Sequence, residues 1–140
     1  MNNISPKLIL AGCVIKDLDG KILLLHRNTK DRVQWELPGG KVEIDEKPEE
    51  AAVREIKEEL GVKIRLGEKI GSQEFLEDSY TNDYIWFEAE IVTGIPVPIE
   101  DKFDQVEYFS LSEMGEMKEE LSSNVKNLVE AIRSGKVRFN

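Results

Sequence analysis

Three glutamates, Glu55, Glu58 and Glu59, stand at i, i+3 and i+4 in the run AAVREIKEELGV. If that run is helical, the three carboxylates fall within roughly 100° of arc, and Val53, Ile56 and Leu60 gather about 130° away. One face would then enter the core and the other would carry acid alone. Like charges at these spacings oppose the helix and resist ionisation, so something should compensate them. A hard divalent cation, Mg²⁺ or Mn²⁺, does so because it prefers carboxylate and carbonyl oxygens and keeps several waters. Gly39 and Gly40 ahead of the run let the backbone approach a ligand closely, which makes the Gly40 carbonyl a further candidate metal ligand. Arg54, next to Glu55, can form a bidentate pair that fixes a carboxylate's orientation. The competing reading is a solvated acidic face, the usual state of glutamates on a surface helix.

The elements that must position these residues are marked by ordinary signals. Pro48 suits the first helical turn, Glu49 and Glu50 complement the positive end of the dipole, and Gly61 suits the C′ position, so the helix spans 48–60. Upstream, 8–16 and 21–27 read as strands around the turn DLDG and predict a hairpin, followed by a polar loop at 28–34 and a short extended piece, WELPGG. Downstream, VKIRLGEKIGSQEFL, DYIWFEAEIV and VEYFSL predict further strands. Ser112 is expected to cap a short segment from Glu113, and 122–135 to form a terminal helix closed by Gly135. Two helices framing a mixed sheet predict an α/β/α layered fold, a single domain over 1–140.

Composition narrows the function. Of 140 residues, 40% are hydrophobic and 34% charged, the balance of a globular chain. The net charge of −9 argues against a nucleic-acid partner, because phosphate neutralisation needs clustered Lys and Arg. The opening apolar run is too short for a membrane span or a secretory signal, so a cytoplasmic location and no membrane partner are expected. Cys13 stands alone in that run and is expected to be an inert core thiol. His26, the one histidine, has no Ser, Cys or Asp motif around it and is taken as a polar strand-end residue. Trp35, Trp86 and Phe87 are expected in the core, Trp35 with the best claim to an alternative role in stacking on a base.

The stretch from Gly40 to Val62 resembles the signature of the Nudix hydrolases: Gly40, five residues, Glu46, seven residues, then Arg54, Glu55, Ile56, Glu58, Glu59, Gly61 and Val62, with no departure. The resemblance implies a Nudix-type α/β/α sandwich and a metal-dependent pyrophosphohydrolase that splits a nucleoside diphosphate linked to a further moiety. It further implies Gly40, Glu55, Glu58 and Glu59 as holders of Mg²⁺, Glu55 or Glu58 as the base, Arg54 as the group that holds a motif carboxylate, and Glu46 in an auxiliary role. Many members add a carboxylate from a later loop, here Glu100, Asp101 or Asp104. Arg27, by similarity to the MutT-like branch, could contact substrate phosphate, and Asn124 could read a purine edge.

A nucleoside triphosphate, oxidised or not, is the favoured substrate, giving a monophosphate and pyrophosphate. Sugar nucleotides, including ADP-ribose, and dinucleoside polyphosphates are alternatives, the latter hinted at by the position of Tyr80. The alternative of another class is a Nudix module that binds nucleotides without cleaving them, which the intact glutamates disfavour. The expected partner is a small nucleotide, and the chain is read as a monomer or a homodimer.

Overall fold

The structure is a computed structural model and describes residues 5–138. In chain order the elements are β1 (Lys7–Ile15), β2 (Ile22–Asn28), β3 (Val33–Glu36), β4 (Gly39–Lys41), α1 (Pro48–Leu60), β5 (Lys63–Glu77), β6 (Tyr80–Thr93), β7 (Phe103–Phe109), α2 (Leu111–Glu116), a 3₁₀ turn (Lys118–Glu120) and α3 (Ser123–Arg133). They form a four-stranded mixed sheet in the order β4-β1-β6-β5, with β1 and β6 parallel, and a three-stranded antiparallel sheet in the order β3-β2-β7. The predicted hairpin of the first two strands is therefore replaced by a crossing. Asp17 accepts the N–H groups of Asp19 and Lys21 (both 2.9 Å) and tightens the turn, but beyond the single bridge Lys16–Ile22 the strands part into different sheets.

Alternation along the central strands builds two cores. Ala11, Cys13 and Ile15 of β1, Leu23 and Leu25 of β2 and Phe87 of β6 pack with Ala51, Ala52, Ile56 and Leu60 of α1. Val14, Leu24 and Trp86, at the alternate positions, pack with Val125, Leu128 and Val129 of α3. Strands covered on both faces need apolar residues at every position, which is why LILAGCVI and ILLL read as unbroken apolar runs.

Helix α1 keeps the predicted ends. Glu50 accepts the Lys47 N–H (2.9 Å), and Gly61 takes a left-handed conformation (φ 70°) with its N–H on the Lys57 carbonyl (2.9 Å). Its buried stripe differs from the prediction. Val53 is 39% exposed, and Ala51, Ala52, Ile56 and Leu60 form the core face. Small alanines bring the helix close to the sheet and centre the buried arc near Ala52. Glu59 therefore turns inward, whereas the three carboxylates were expected on one outward face. Ser110, not Ser112, caps α2: its hydroxyl accepts the Glu113 N–H (3.0 Å) and Glu113 accepts the Ser110 N–H (2.9 Å), a reciprocal capping box. Ser122 caps α3 by accepting the Val125 N–H (3.2 Å), and Gly135 follows the helix at φ 80°.

Candidate active site

The three glutamates of α1 are held in three different ways. Glu59 is 3% exposed and accepts the Gly39 N–H at 2.8 Å. Glu55 lies against Gly40 so closely that a Cβ there would stand 2.5 Å from its carboxyl carbon. Gly40 thus makes room for a protein carboxylate and Gly39 for the β1 backbone and the Tyr84 hydroxyl, where the sequence pointed to an approaching ligand. Glu58 is 49% exposed on its side chain and turns toward Arg54.

Arg54 is the hub. Its Nε and Nη2 grip the two oxygens of Glu46 (2.7 and 2.9 Å), its Nη1 reaches Glu55 (2.8 Å) and Glu58 (3.2 Å), and Nη2 also donates to the Lys41 carbonyl (3.0 Å). This single guanidinium ties the loop before α1 to two glutamates of the helix and compensates part of their repulsion. The fork holds the Glu46 carboxyl at a pKa of about 2, first through the Arg54 bond and then through the Glu43 N–H. Glu55 and Glu59 shift the other way. Burial is the main cause for both; Arg54 offsets it at Glu55 and the Gly39 N–H at Glu59, while the Glu100 charge adds to both rises.

That coupling singles out Glu100 among the three loop candidates. The loop is pinned to the end of α1 by the Val97 N–H on the Leu60 carbonyl (3.2 Å) and the Ile99 N–H on the Glu59 carbonyl (3.0 Å). Glu100 Oε1 is buried without a hydrogen-bond partner, with the Lys102 ammonium 3.7 Å away. Asp104 is committed elsewhere, accepting from Asn28 (2.8 Å) and lying 2.7 Å from His26 Nδ1, and Asp101 is exposed.

A cavity of about 560 Å³ opens between the two sheets, lined by Gly40, Glu55 and Glu59, by the charged side chains of Arg27, Glu36 and Lys102, and by Ser122 and Asn124. Its size suits one small-molecule ligand. Arg27 forms a bidentate pair with Glu36 (2.5 and 3.1 Å) above the Phe103 ring. Asn124 is 8% exposed; its Oδ1 accepts the Trp86 Nε1–H (2.9 Å), and it does not cap α3. Trp35, Trp86 and Phe87 are core residues, with His26 packed on Trp35 at 4.8 Å between ring centroids. Cys13 is buried, and its thiol is pushed up to about 12, chiefly by burial.

A family model described as the NUDIX domain matches residues 6–132. The chain belongs to that family. Among curated relatives, this Nudix chain is 43% identical over 70 residues to the CTP pyrophosphohydrolase of Escherichia coli K12, a match covering 49% of the chain and 52% of the relative. It is 55% identical over 61 residues to a putative 8-oxo-dGTP diphosphatase of Bacillus subtilis, covering 44% and 40%. The chain thus spans about half the length of the curated relatives it matches. Among solved structures, the MutT protein of Methanosarcina mazei Go1 superposes with a TM-score of 0.82 at 26% identity, covering 97% of this chain and 99% of that one. Nudix hydrolases generally need a divalent metal. Among the described residues no three His, Cys, Asp or Glu side chains already converge on one point. None of their helices is long and apolar enough to cross a membrane. Glu100, in the loop pinned to the end of α1, and Tyr84, on the cavity wall, are not singled out by the sequence. Glu100 is one acid among several in its loop, and Tyr84 sits unmarked in a strand.

Proposed function

We propose that the chain hydrolyses the pyrophosphate bond of a nucleoside triphosphate in a reaction that needs a divalent metal, Mg²⁺ or Mn²⁺, and that takes up one water to give a nucleoside monophosphate and pyrophosphate. The observation that carries this reading is the cavity's lining, in which the partly or wholly buried carboxylates of Glu55 and Glu59 stand with the cation Arg27 and the neutral hydrogen-bonding groups of Ser122 and Asn124. The names of the relatives in E. coli and B. subtilis, one for CTP and one for 8-oxo-dGTP, agree with a nucleotide as substrate.

The donor set fits a hard cation. It consists of carboxylate oxygens, two of its members have raised proton affinity chiefly because they are buried, and one buried oxygen, Glu100 Oε1, has no hydrogen-bond partner among the described residues. Glu55, Glu58 and Glu59, with the Gly40 carbonyl and Glu100, are the residues assigned to it. Bound there, a divalent ion would neutralise bridging phosphate charge and acidify water. Arg54 keeps Glu55 and Glu58 oriented. Of the two base candidates, Glu55 has its carboxylate on the cavity wall, and it is the acceptor assigned to the proton of the attacking water. Arg27 stands beside the phosphate chain with its charge half-committed to Glu36, and the amide of Asn124 faces the base.

The test is a panel of nucleoside triphosphates, sugar nucleotides and dinucleoside polyphosphates assayed with Mg²⁺ or Mn²⁺, with products identified by mass. Monophosphate and pyrophosphate from a triphosphate are expected. Binding without turnover across the whole panel would instead mark a recognition module.

A further inference from the structure

Tyr84 lies on β6, on the same face as Trp86, and is 6% exposed. Its side chain crosses β1 at Gly12 and reaches β4 at Gly39. A Cβ added at Gly12 would stand 2.5 Å from the phenol oxygen, and one at Gly39 would stand 2.6 Å from it. The hydroxyl therefore ends beside the peptide whose N–H holds Glu59, on the wall of the cavity that Glu55 and Glu59 also line. No described residue gives it a hydrogen bond or takes one from it. The phenol is almost wholly enclosed, and its hydroxyl opens on the cavity, so an unpaired hydroxyl there is a place for a ligand atom.

The chemistry of that atom follows from the surroundings. Burial first, then the charges of Glu59 and Glu36, push the phenol pKa well above its usual value, so the group is a neutral donor. The nearby carboxylates already have donors: Gly39 for Glu59, and Arg27 and Gln34 for Glu36. A substrate oxygen entering the cavity is an acceptor this hydroxyl can meet, and in the nucleotide reading above the phosphate chain is the part assigned beside Glu55 and Glu59.

We infer that Tyr84 is a substrate-binding residue whose hydroxyl donates a hydrogen bond to a non-bridging oxygen of the pyrophosphate bridge, an assignment that rests on the nucleotide reading above. The Gly12–Gly39 crossing is what lets a residue two strands from β4 reach that point.

Tyr84→Phe in the full chain tests it. Three quantities are measured: kcat/KM for the triphosphate with Mg²⁺, the affinities for pyrophosphate and for the unphosphorylated nucleoside, and Tm. Losing a hydrogen bond to an anion lowers kcat/KM and pyrophosphate affinity together by about tenfold to a hundredfold. Nucleoside affinity stays at the wild-type value. Tm is unchanged or higher, because no bond within the protein is lost. Wild-type pyrophosphate affinity, or a lowered Tm with intact kcat/KM, overturns the assignment. If the wild-type chain cleaves no nucleotide, the parent reading fails, while the pyrophosphate measurement still decides the role of the hydroxyl.

Discussion

Glu59 is buried at the centre of the inward arc of α1, with one backbone N–H as its hydrogen-bond donor and other acids around it. Its carboxyl has a raised folded-state pKa, so the folded protein binds that proton more readily than the unfolded chain and ionisation opposes folding as pH rises above the ordinary carboxyl value. Glu59→Gln keeps an acceptor for Gly39 and removes the charge. Its Tm is expected to exceed wild type at pH 8, with the gap closing as pH falls toward about 4.5, and its metal-dependent turnover is expected to be lost. A thermal melt series over pH decides the first point and a nucleotide assay the second. Glu46 has the opposite sign. Its folded-state pKa of about 2 lies below the ordinary carboxyl value of 4.5, so its pairing with Arg54 stabilises the fold above pH 4.5 and is lost as pH falls toward 2. In Glu46→Gln the acid limb of the stability curve should flatten over that window. Glu58, half-exposed, is the third case: Glu58→Gln should leave Tm within a degree or so and cut turnover about a hundredfold or more. Wild-type rates in that variant would remove Glu58 from the metal set.

At the scale of elements, α1 depends on where it stops. Gly61 is left-handed, and a Cβ there would meet the Ile99 Cδ1 at 3.2 Å, in the loop that delivers Glu100. Gly61→Ala should therefore cost about 1 kcal/mol in chemical denaturation and weaken activity by loosening that loop. The helix ends were legible because Pro48 and Gly61 act locally. Its buried face was not, because alanines weigh little in a hydrophobic pattern, so Val53 drew the predicted stripe toward itself while Ala51 and Ala52 fill the close contact. The hairpin expectation failed for a related reason, since unbroken apolar runs do not say which sheet a strand joins. Ser110 was legible in principle, because Glu113 follows it at the capping-box spacing. Glu100 and Tyr84 owe their places to contacts across the chain, to the end of α1 and over Gly12, and no local spacing encodes them.

For the molecule as a whole, a net charge of −9 with Glu55 and Glu59 on a cavity wall leaves repulsion that Arg54 offsets only in part. Mg²⁺ at a hundredfold its dissociation constant should add about 2.7 kcal/mol of stability. Melting with and without the ion measures it, and the gain should shrink in Glu59→Gln. No such response in the wild-type protein would count against the assigned cation ligands.

Strand β1 has one further consequence. Its odd residues serve one core, Val14 serves the other, and its edge at Gly12 carries both the glycine strand and the reach of Tyr84. A one-residue slip would send each apolar side chain to the opposite layer and place a side chain where the phenol crosses. The chain cannot be retuned for robustness along this strand without also retuning what it recognises.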